Sequence, residues 1–380
     1  VSDETSARHE HGQALRVRII TRAEHDAWIG SRASVSFLQT PQWADVKLEW
    51  RAESVGWFNQ SDALVGAGLI LYRNAPIIKR SLAYLPEGPD IDWSADSLSD
   101  WLQPLIVHVS RAGAFTLKIG VPVVARSWSQ DTIKNAVGPN QKLRNIEADF
   151  TNPQLKQIET ALRKLNFTQP DGDSGFGDGQ PKFVYQLNIA NQTDEQLLTG
   201  FNQLWRRNIK KAEKADVSVR EGNRSDLAAF HEVYKETAER DHFRPRPLFY
   251  FERYWDAFQT HPERIKLFLA EIDGEVAAAT IWIRVGTHSW YSYGASTTKH
   301  RDARPSNAIQ WAMIRAARDN GAEIYDMRGI SETLDEANPL FGLIRFKLGI
   351  GGGAVEYIGE HDYAISKPLV ALYNLYRRIR

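Results

Sequence analysis

Residues 98–119 read LSDWLQPLIVHVSRAGAFTLKI: a helical pattern over 98–111, a stop at Gly113, then an apolar strand over 115–119. Residues 307–327, NAIQWAMIRAARDNGAEIYDM, repeat that order, with a helix over 307–319, Gly321 and a strand over 323–327. The two strands lie roughly 208 residues apart and the two helices roughly 209, so the offset is nearly constant. The likeness continues upstream. Apolar strands over 63–72 and 82–85 precede the first helix, and strands over 275–285 and 289–293 precede the second. Helices over 23–29 and 225–239 open the two copies. The chain therefore reads as two copies of one α/β unit.

Helices, then antiparallel strands, then a helix crossing to another strand is the order of the acetyltransferase-like (GNAT) fold. The fold class expected is α/β (α+β), with two tandem GNAT-like domains. Between the copies, 169–181 crowds together Asp171, Gly172, Asp173, Gly175, Gly177, Asp178 and Gly179, a composition that builds no core element. It superficially resembles a calcium loop. Its third ligand position is Gly175 and its twelfth is Lys182 instead of a bidentate Glu, so it reads as a solvated connection. The expected domains are 14–178 and 179–360, with 361–380 returning as a helix to complete the first. In that last segment Leu369, Leu372, Tyr373 and Tyr376 have helical spacing, and Arg377, Arg378 and Arg380 suit a helix C-terminus.

Composition narrows the function. Among 380 residues, 47 basic and 47 acidic side chains balance, so any contact with a polyanion must be a local patch. Cysteine is absent, which excludes disulfides, thiolate nucleophiles and cysteine-ligated metals and fits a reducing compartment. No apolar run approaches the ~18 residues of a membrane span, and the first 13 residues are polar, so a cytoplasmic protein is expected. His9 and His11 are the one histidine pair with metal-like spacing; no metal site is expected. A GNAT unit that uses acyl-CoA cradles the pyrophosphate in a glycine-rich loop before its crossing helix. Here that stretch is Arg301, Asp302, Ala303, Arg304, Pro305, Ser306 in one copy, and residues 94–99 in the other, without glycine in either. Neither copy is equipped for CoA. The run Gly349, Gly351, Gly352, Gly353 follows a helical stretch and reads as a tight turn.

Four groups of residues stand out in order along the chain. Gln39, Trp43, Val46 and Lys47 form the first, and Trp205, Arg206, Arg207, Ile209, Lys211, Ala212 and Val217 the second. Thr237, Arg240, Asp241 and Phe243 form the third. The fourth runs from Tyr291, Tyr293, Gly294, Ala295 and Ser296 through Tyr325, Asp326 and Gly329 to Phe346, Lys347 and Gly349. In their order and spacing over nearly the whole chain, they resemble the Fem family of tRNA-dependent, non-ribosomal peptidyltransferases. Too few residues separate Trp255 from Ile265 for the long helical arm of some relatives, so the chain is similar to the armless subset.

The resemblance implies an aminoacyltransferase of cell wall synthesis with no cofactor, and aminoacyl-tRNA as co-substrate. The acceptor it implies is the third-residue amine of the stem peptide in UDP-MurNAc-pentapeptide or lipid II, with contact at the inner membrane surface possible. Lys347 takes the place of the family's active-site lysine, where a fixed cation would stabilise a tetrahedral oxyanion and Phe346 would exclude water. Lys47 and Arg240 match positions that hold the precursor's diphosphate; Trp43, Phe243, Arg244, Tyr291 and Tyr293 are the other expected precursor contacts. For tRNA, Thr193 and Gln196 read as a capping box opening one helix with its apolar stripe from Leu197 to Ala212. Arg206, Arg207, Lys210, Lys211 and Lys214 are its expected phosphate contacts. The family often carries an Asp before the proline that follows the last strand of the first unit. This chain has Gly120, Val121, Pro122 there, so no base is assigned. An acyl-CoA N-acyltransferase, a tRNA-dependent transferase acting on a protein N-terminus or a lipid, and a non-catalytic binding module stay open as alternatives.

Overall fold

The computed structural model describes residues 15–76, 78–170 and 179–379. Its strands are β1 (Arg16–Ile19), β2 (Arg51–Phe58), β3 (Leu64–Ala75), β4 (Ile78–Leu85), β5 (Ala114–Ser129), β6 (Phe150–Thr151), β7 (Phe183–Asn188), β8 (Ser218–Gly222), β9 (Ile265–Ile272), β10 (Glu275–Val285), β11 (His288–Ser296), β12 (Ile324–Gly329) and β13 (Gly353–Ala364). They form one sheet in the order β1-β2-β3-β4-β5-β13-β7-β12-β11-β10-β9-β8, with β6 beside β5. The repeat is visible in the pairing. From β1 to β4 neighbours are antiparallel and β5 then lies parallel to β4; from β8 to β11 neighbours are antiparallel and β12 lies parallel to β11.

A parallel neighbour demands a crossover, and each copy supplies it with the expected helix. Leu98–Arg111 buries Leu98, Trp101, Leu102, Leu105, Ile106 and Val109, an i, i+3, i+4 stripe against the sheet. Pro305–Asp319 buries Ile309, Met313, Ile314 and Ala317 in the same way, starting with proline at its first position, where no amide is needed. Each large apolar side chain so buried contributes roughly 1.5–3 kcal/mol. A third core lies between the copies: Phe37, Trp43, Val46 and Leu69 from the first pack with Phe230, Tyr250, Tyr254 and Trp290 from the second.

The C-terminal helix Lys367–Ile379 seats Leu369, Val370 and Tyr373 on Ala75, Ile78 and Phe115, all of the first half. The boundary expected at 360/361 falls inside β13. This strand pairs β5 along its whole length and β7 over Gly353–Glu356, so it belongs to both halves. Of the connection expected over 169–181, residues 171–178 lie outside the described residues. Ala257 and Ile265 are joined by a short 3-10 turn at Pro262–Arg264, without a helical arm.

Two further expectations change, and β11 carries a bulge. The capping box at Thr193 and Gln196 is present, but the helix it opens, Asp194–Gly200, ends early. Asn202 caps a second helix, Gln203–Lys214, because its side chain accepts the Trp205 amide. Pro122 does not end β5. It lies where the β5–β13 register shifts between Tyr357 and Gly359, an irregularity where a missing ladder donor does no harm. Tyr291 and Tyr293 do not share a face, because Trp282 pairs Tyr291 while Ile281 pairs Tyr293, leaving Ser292 as an extra residue.

The glycine run is a turn, as read from the sequence, and packing explains its composition. Gly351 and Gly352 have φ of 79° and 77°, which side-chain-bearing residues rarely adopt. A Cβ on Gly352 would press into the Gln186 carbonyl and one on Gly353 into the Trp128 carbonyl, both parts of neighbouring strands. We predict that Gly352→Ala lowers stability by about 3 kcal/mol or more, combining left-handed strain with overpacking. Gly321→Ala, at φ 84° with open space around it, loses only about 1–2 kcal/mol. Urea denaturation of the two variants checks this, and equal losses would contradict the backbone squeeze.

Candidate active site

Where the halves meet, the short helix Pro41–Val46 packs on Leu248–Ala257. Trp43 is buried between Phe37 and Tyr254, with ring centroids 5.5 and 5.7 Å away. Lys47, which ends the first helix, holds its Nζ 5.3 Å from the Trp43 ring and 5.7 Å from that of Tyr250. The Arg246 guanidinium covers the same Tyr250 ring at 4.5 Å, and the Tyr250 hydroxyl is 3.2 Å from that of Tyr293. Burial pushes the Lys47 ammonium below the usual lysine range. The positive charge of Arg246 pushes the same way; Glu49 opposes, and Arg253 and Arg73 add to the depression. Four cations thus converge on aromatic faces with one carboxylate among them, an arrangement that favours a bound anion.

Arg246, not Arg240, shares the Tyr250 ring with Lys47. Arg240 ends its own helix and is turned back, donating to the Ser296 carbonyl at 2.8 Å and pairing with Asp241 at 3.0 Å. Arg244 is exposed, and Phe243 is exposed with its ring 5.5 Å from Tyr234. Tyr293 faces this cluster, whereas Tyr291 packs into the core on the sheet's other face, where burial raises its hydroxyl to about 12.

Beyond Phe37 lies a cavity of about 320 Å³ lined by both halves. Phe37 joins the two places: its ring is 5.5 Å from the Arg328 guanidinium and 5.2 Å from Trp290. Arg328 donates to Glu87 and to Gln180, each at 2.9 Å, and Glu87 accepts from Ser36 at 2.6 Å. Asp326 is buried with His288 Nε2 at 3.3 Å and Gln186 Nε2 at 3.0 Å. Burial works to raise its pKa, yet His288, Arg328 and Gln186 outweigh it and hold the carboxyl below the usual range. Asp90, Tyr357 and Glu360 complete the wall.

Arg328 owes its direction to a strained bend. Its φ is +62°, a conformation that costs a side-chain-bearing residue roughly 1–3 kcal/mol. Asp326 Oδ1 accepts the Arg328 amide at 2.5 Å, and Lys347 closes the bend from the other side. The Lys347 ammonium donates to the carbonyls of Met327 at 2.6 Å, Arg328 at 3.2 Å and Gly329 at 2.7 Å. Burial pushes this lysine down to about 7; the Asp326 carboxylate opposes the shift and the Arg328 charge adds to it. In this structure the Lys347 ammonium, expected as an oxyanion donor, has its three N–H bonds on main-chain carbonyls, and the side chain does not line the cavity. Phe346 is half-buried, its ring 4.9 Å from Trp205, whose Nε1 donates to the Phe346 carbonyl at 2.9 Å.

On Gln203–Lys214, Arg206 is spent internally. Its guanidinium caps the preceding helix, donating to the carbonyls of Leu198, Thr199 and Phe201. Arg207, Lys210, Lys211 and Lys214 remain exposed. Among the described residues no His, Asp and Glu cluster could hold a metal ion, and no helix is long and apolar enough to cross a membrane. His9 and His11 lie outside the described residues. The residues that sequence reading missed, Arg246, Glu87 and Arg328, had faint signals. Arg246 stands three residues before the aromatic run Phe249, Tyr250, Phe251, and Arg328 stands between Asp326 and Gly329 at a strand end.

Known proteins share this fold. A lipid II:glycine glycyltransferase of Staphylococcus epidermidis is 24% identical over 95% of this chain and 95% of its own length. The crystal structure of FemX superposes with a TM-score of 0.78, at 23% identity over 94% of this chain and 99% of that one. A tandem GNAT protein from the clavulanic acid biosynthesis pathway superposes with a TM-score of 0.53, at 10% identity over 93% of this chain and 99% of that one. The expected two-GNAT architecture is thus present, and the relatives named are transferases, as expected. The FemAB family description matches residues 20–276 and 273–378, and the chain belongs to the FemAB family.

Proposed function

We propose that this chain carries an amino acid from aminoacyl-tRNA to the third-residue amine of the stem peptide in a peptidoglycan precursor, UDP-MurNAc-pentapeptide or lipid II. The observation that carries the reading is the meeting of Lys47 and Arg246 over one aromatic floor between the halves. A diphosphate suits that place. Arg246 can grip its oxygens with two parallel N–H bonds while Lys47 acts as a point charge. Relatives named for action on lipid II support the same substrate class.

The stem peptide would then extend past Phe37 into the cavity. Four carboxylates line it, Glu87, Asp90, Asp326 and Glu360; Arg328 pairs with Glu87 at 2.9 Å, Arg32 with Asp90 at 3.1 Å and Lys118 with Glu360 at 3.3 Å, which leaves an acidic surplus at Asp326 for an amine-bearing side chain. The donor ester is already activated, so the reaction needs no cofactor. The neutral amine attacks the ester carbonyl, a C–N bond forms, and the C–O bond to the terminal ribose breaks. The proton lost from nitrogen ends on the departing ribose hydroxyl. Arg207, Lys210, Lys211 and Lys214 would meet the tRNA backbone, in a chain whose net charge is zero. Lys347 serves as a positioning residue, fixing the bend that aims Arg328.

The direct test is incubation with a total aminoacyl-tRNA pool and each precursor, reading product mass. One added amino acid on the stem, abolished by ribonuclease, is expected; no mass change with either precursor would end the proposal. In the same assay Lys47→Ala and Arg246→Ala should raise KM for the precursor about 10- to 100-fold with kcat little changed, the loss of one charged phosphate partner each. Arg240→Ala should stay near the parent, and a larger KM effect there than at Arg246 would reverse the assignment. Lys347→Met keeps much of the stem and strands three carbonyls. It should lower stability by about 3 kcal/mol or more together with activity. A fall in kcat on the order of 10²–10³ with unchanged stability would instead restore the oxyanion role.

A further inference from the structure

The C-terminal helix is apolar on two sides. Leu369, Val370 and Tyr373 lie against the tip of the β3–β4 hairpin and Phe115. On the opposite side Pro368, Ala371, Leu372 and Leu375 follow i, i+3, i+4, i+7 spacing, and all four are exposed, Leu372 by 45% and Leu375 by 56%. A surface helix ordinarily turns charged residues outward there. This one contains no Asp or Glu; its charged residues are Lys367, Arg377 and Arg378.

The ground around it has the same character. The hairpin beneath the helix exposes Arg73, Lys79 and Arg80, and residues 73–81 include no carboxylate. Arg73 reaches back over Trp50 at 5.6 Å, and its charge is felt at Lys47, so the basic surface runs from the helix to the cation site. Beside Lys47 two more large apolar side chains stand exposed, Leu48 by 67% and Phe249 by 59%, the latter under Arg253 at 5.4 Å. The carboxylates near Lys47 are paired: Asp45 with Arg22 at 2.7 Å, Glu49 with Arg253 at 3.5 Å and Glu252 with Arg224 at 3.7 Å. An apolar stripe beside a basic hairpin, in a chain with zero net charge, matches a bilayer surface, with anionic headgroups for the cations and acyl chains for the stripe.

We infer that the outer stripe of Lys367–Ile379 and the basic β3–β4 hairpin dock this protein on the surface of a membrane containing anionic lipid. The docking stands without the transferase reading. That it brings the mouth of the Lys47–Arg246 site toward a lipid-linked diphosphate rests on the function proposed above.

The test is sedimentation of the full chain with vesicles of phosphatidylcholine alone or with about 30% phosphatidylglycerol. Binding to the anionic vesicles that weakens as salt rises is expected, with little on the neutral ones. Leu372→Glu with Leu375→Glu, and separately Lys79→Glu with Arg80→Glu, should each lower vesicle affinity roughly tenfold or more. Transfer onto the soluble UDP-linked precursor should be unchanged in both, since neither pair touches the site. If the double leucine variant melts early, Leu375→Asn alone, at the more exposed position, replaces it and should still weaken binding. No binding by the parent, equal binding by the variants, or a dimer of the parent that the leucine variants dissociate would each overturn the inference; the last would mean that a second copy covers the stripe. Vesicle binding with no transfer to any precursor would leave the docking standing and remove the enzymatic reading.

Discussion

Between β5 and β7 there is room for a strand that begins without side chains. The carbonyls of Trp128 and Gln186 close on Gly353 and Gly352 from either side, and only because these are glycines can β13 enter and pair with both neighbours. That insertion turns two repeated units into one sheet. It also sets Tyr357 and Glu360 of β13 opposite Asp326 and Arg328 of β12, so the cavity walls come from both halves. A site assembled in this way depends on a rigid seam, since neither half holds its complete wall.

The same economy of backbone governs β12. Its last turn is bent into a left-handed residue, and the bend is held by a carboxylate on one side and an ammonium on the other. Removing one partner of such a buried arrangement leaves the others unsatisfied, which costs more than the bond contributes. Strain of this kind is retained where direction matters, and here it directs Arg328 at Glu87 and Gln180, across the seam. Beyond the Phe37 and Trp43 rings, Lys47 and Arg246 reach one tyrosine ring from different halves, so the seam that closes the cavity also brings these two cations together.

Much of the fold was legible because periodicity and spacing survive folding. The helices 98–111 and 307–319 and the strands after them appear where the constant offset put them, since each needs only its own apolar stripe and a glycine stop. What escaped was decided by contacts far apart in sequence. Nothing local says that β13 would be shared, that Ser292 would be extruded to send Tyr291 and Tyr293 to opposite faces, or that Asn202 would divide the basic helix. The family likeness named Trp43 and Lys47, which the fold brings to the aromatic floor between the halves. It did not find which side chains were free: Arg206, Arg240 and Lys347 are all occupied by carbonyls, and a carbonyl partner leaves no trace in a residue string. Arg246 went unnoticed because its role comes from a ring on the next helix and from a lysine some 200 residues earlier.

The central claim is that an anionic substrate group binds where the two halves bring Lys47 and Arg246 together. A crystal structure with UDP-MurNAc-pentapeptide tests it most directly. The account predicts diphosphate oxygens within hydrogen-bonding distance, about 3 Å, of Lys47 Nζ and the Arg246 guanidinium, with the peptide passing Phe37 toward Arg328. A diphosphate held by Arg240 or by the basic helix instead, with Lys47 and Arg246 untouched, would contradict it.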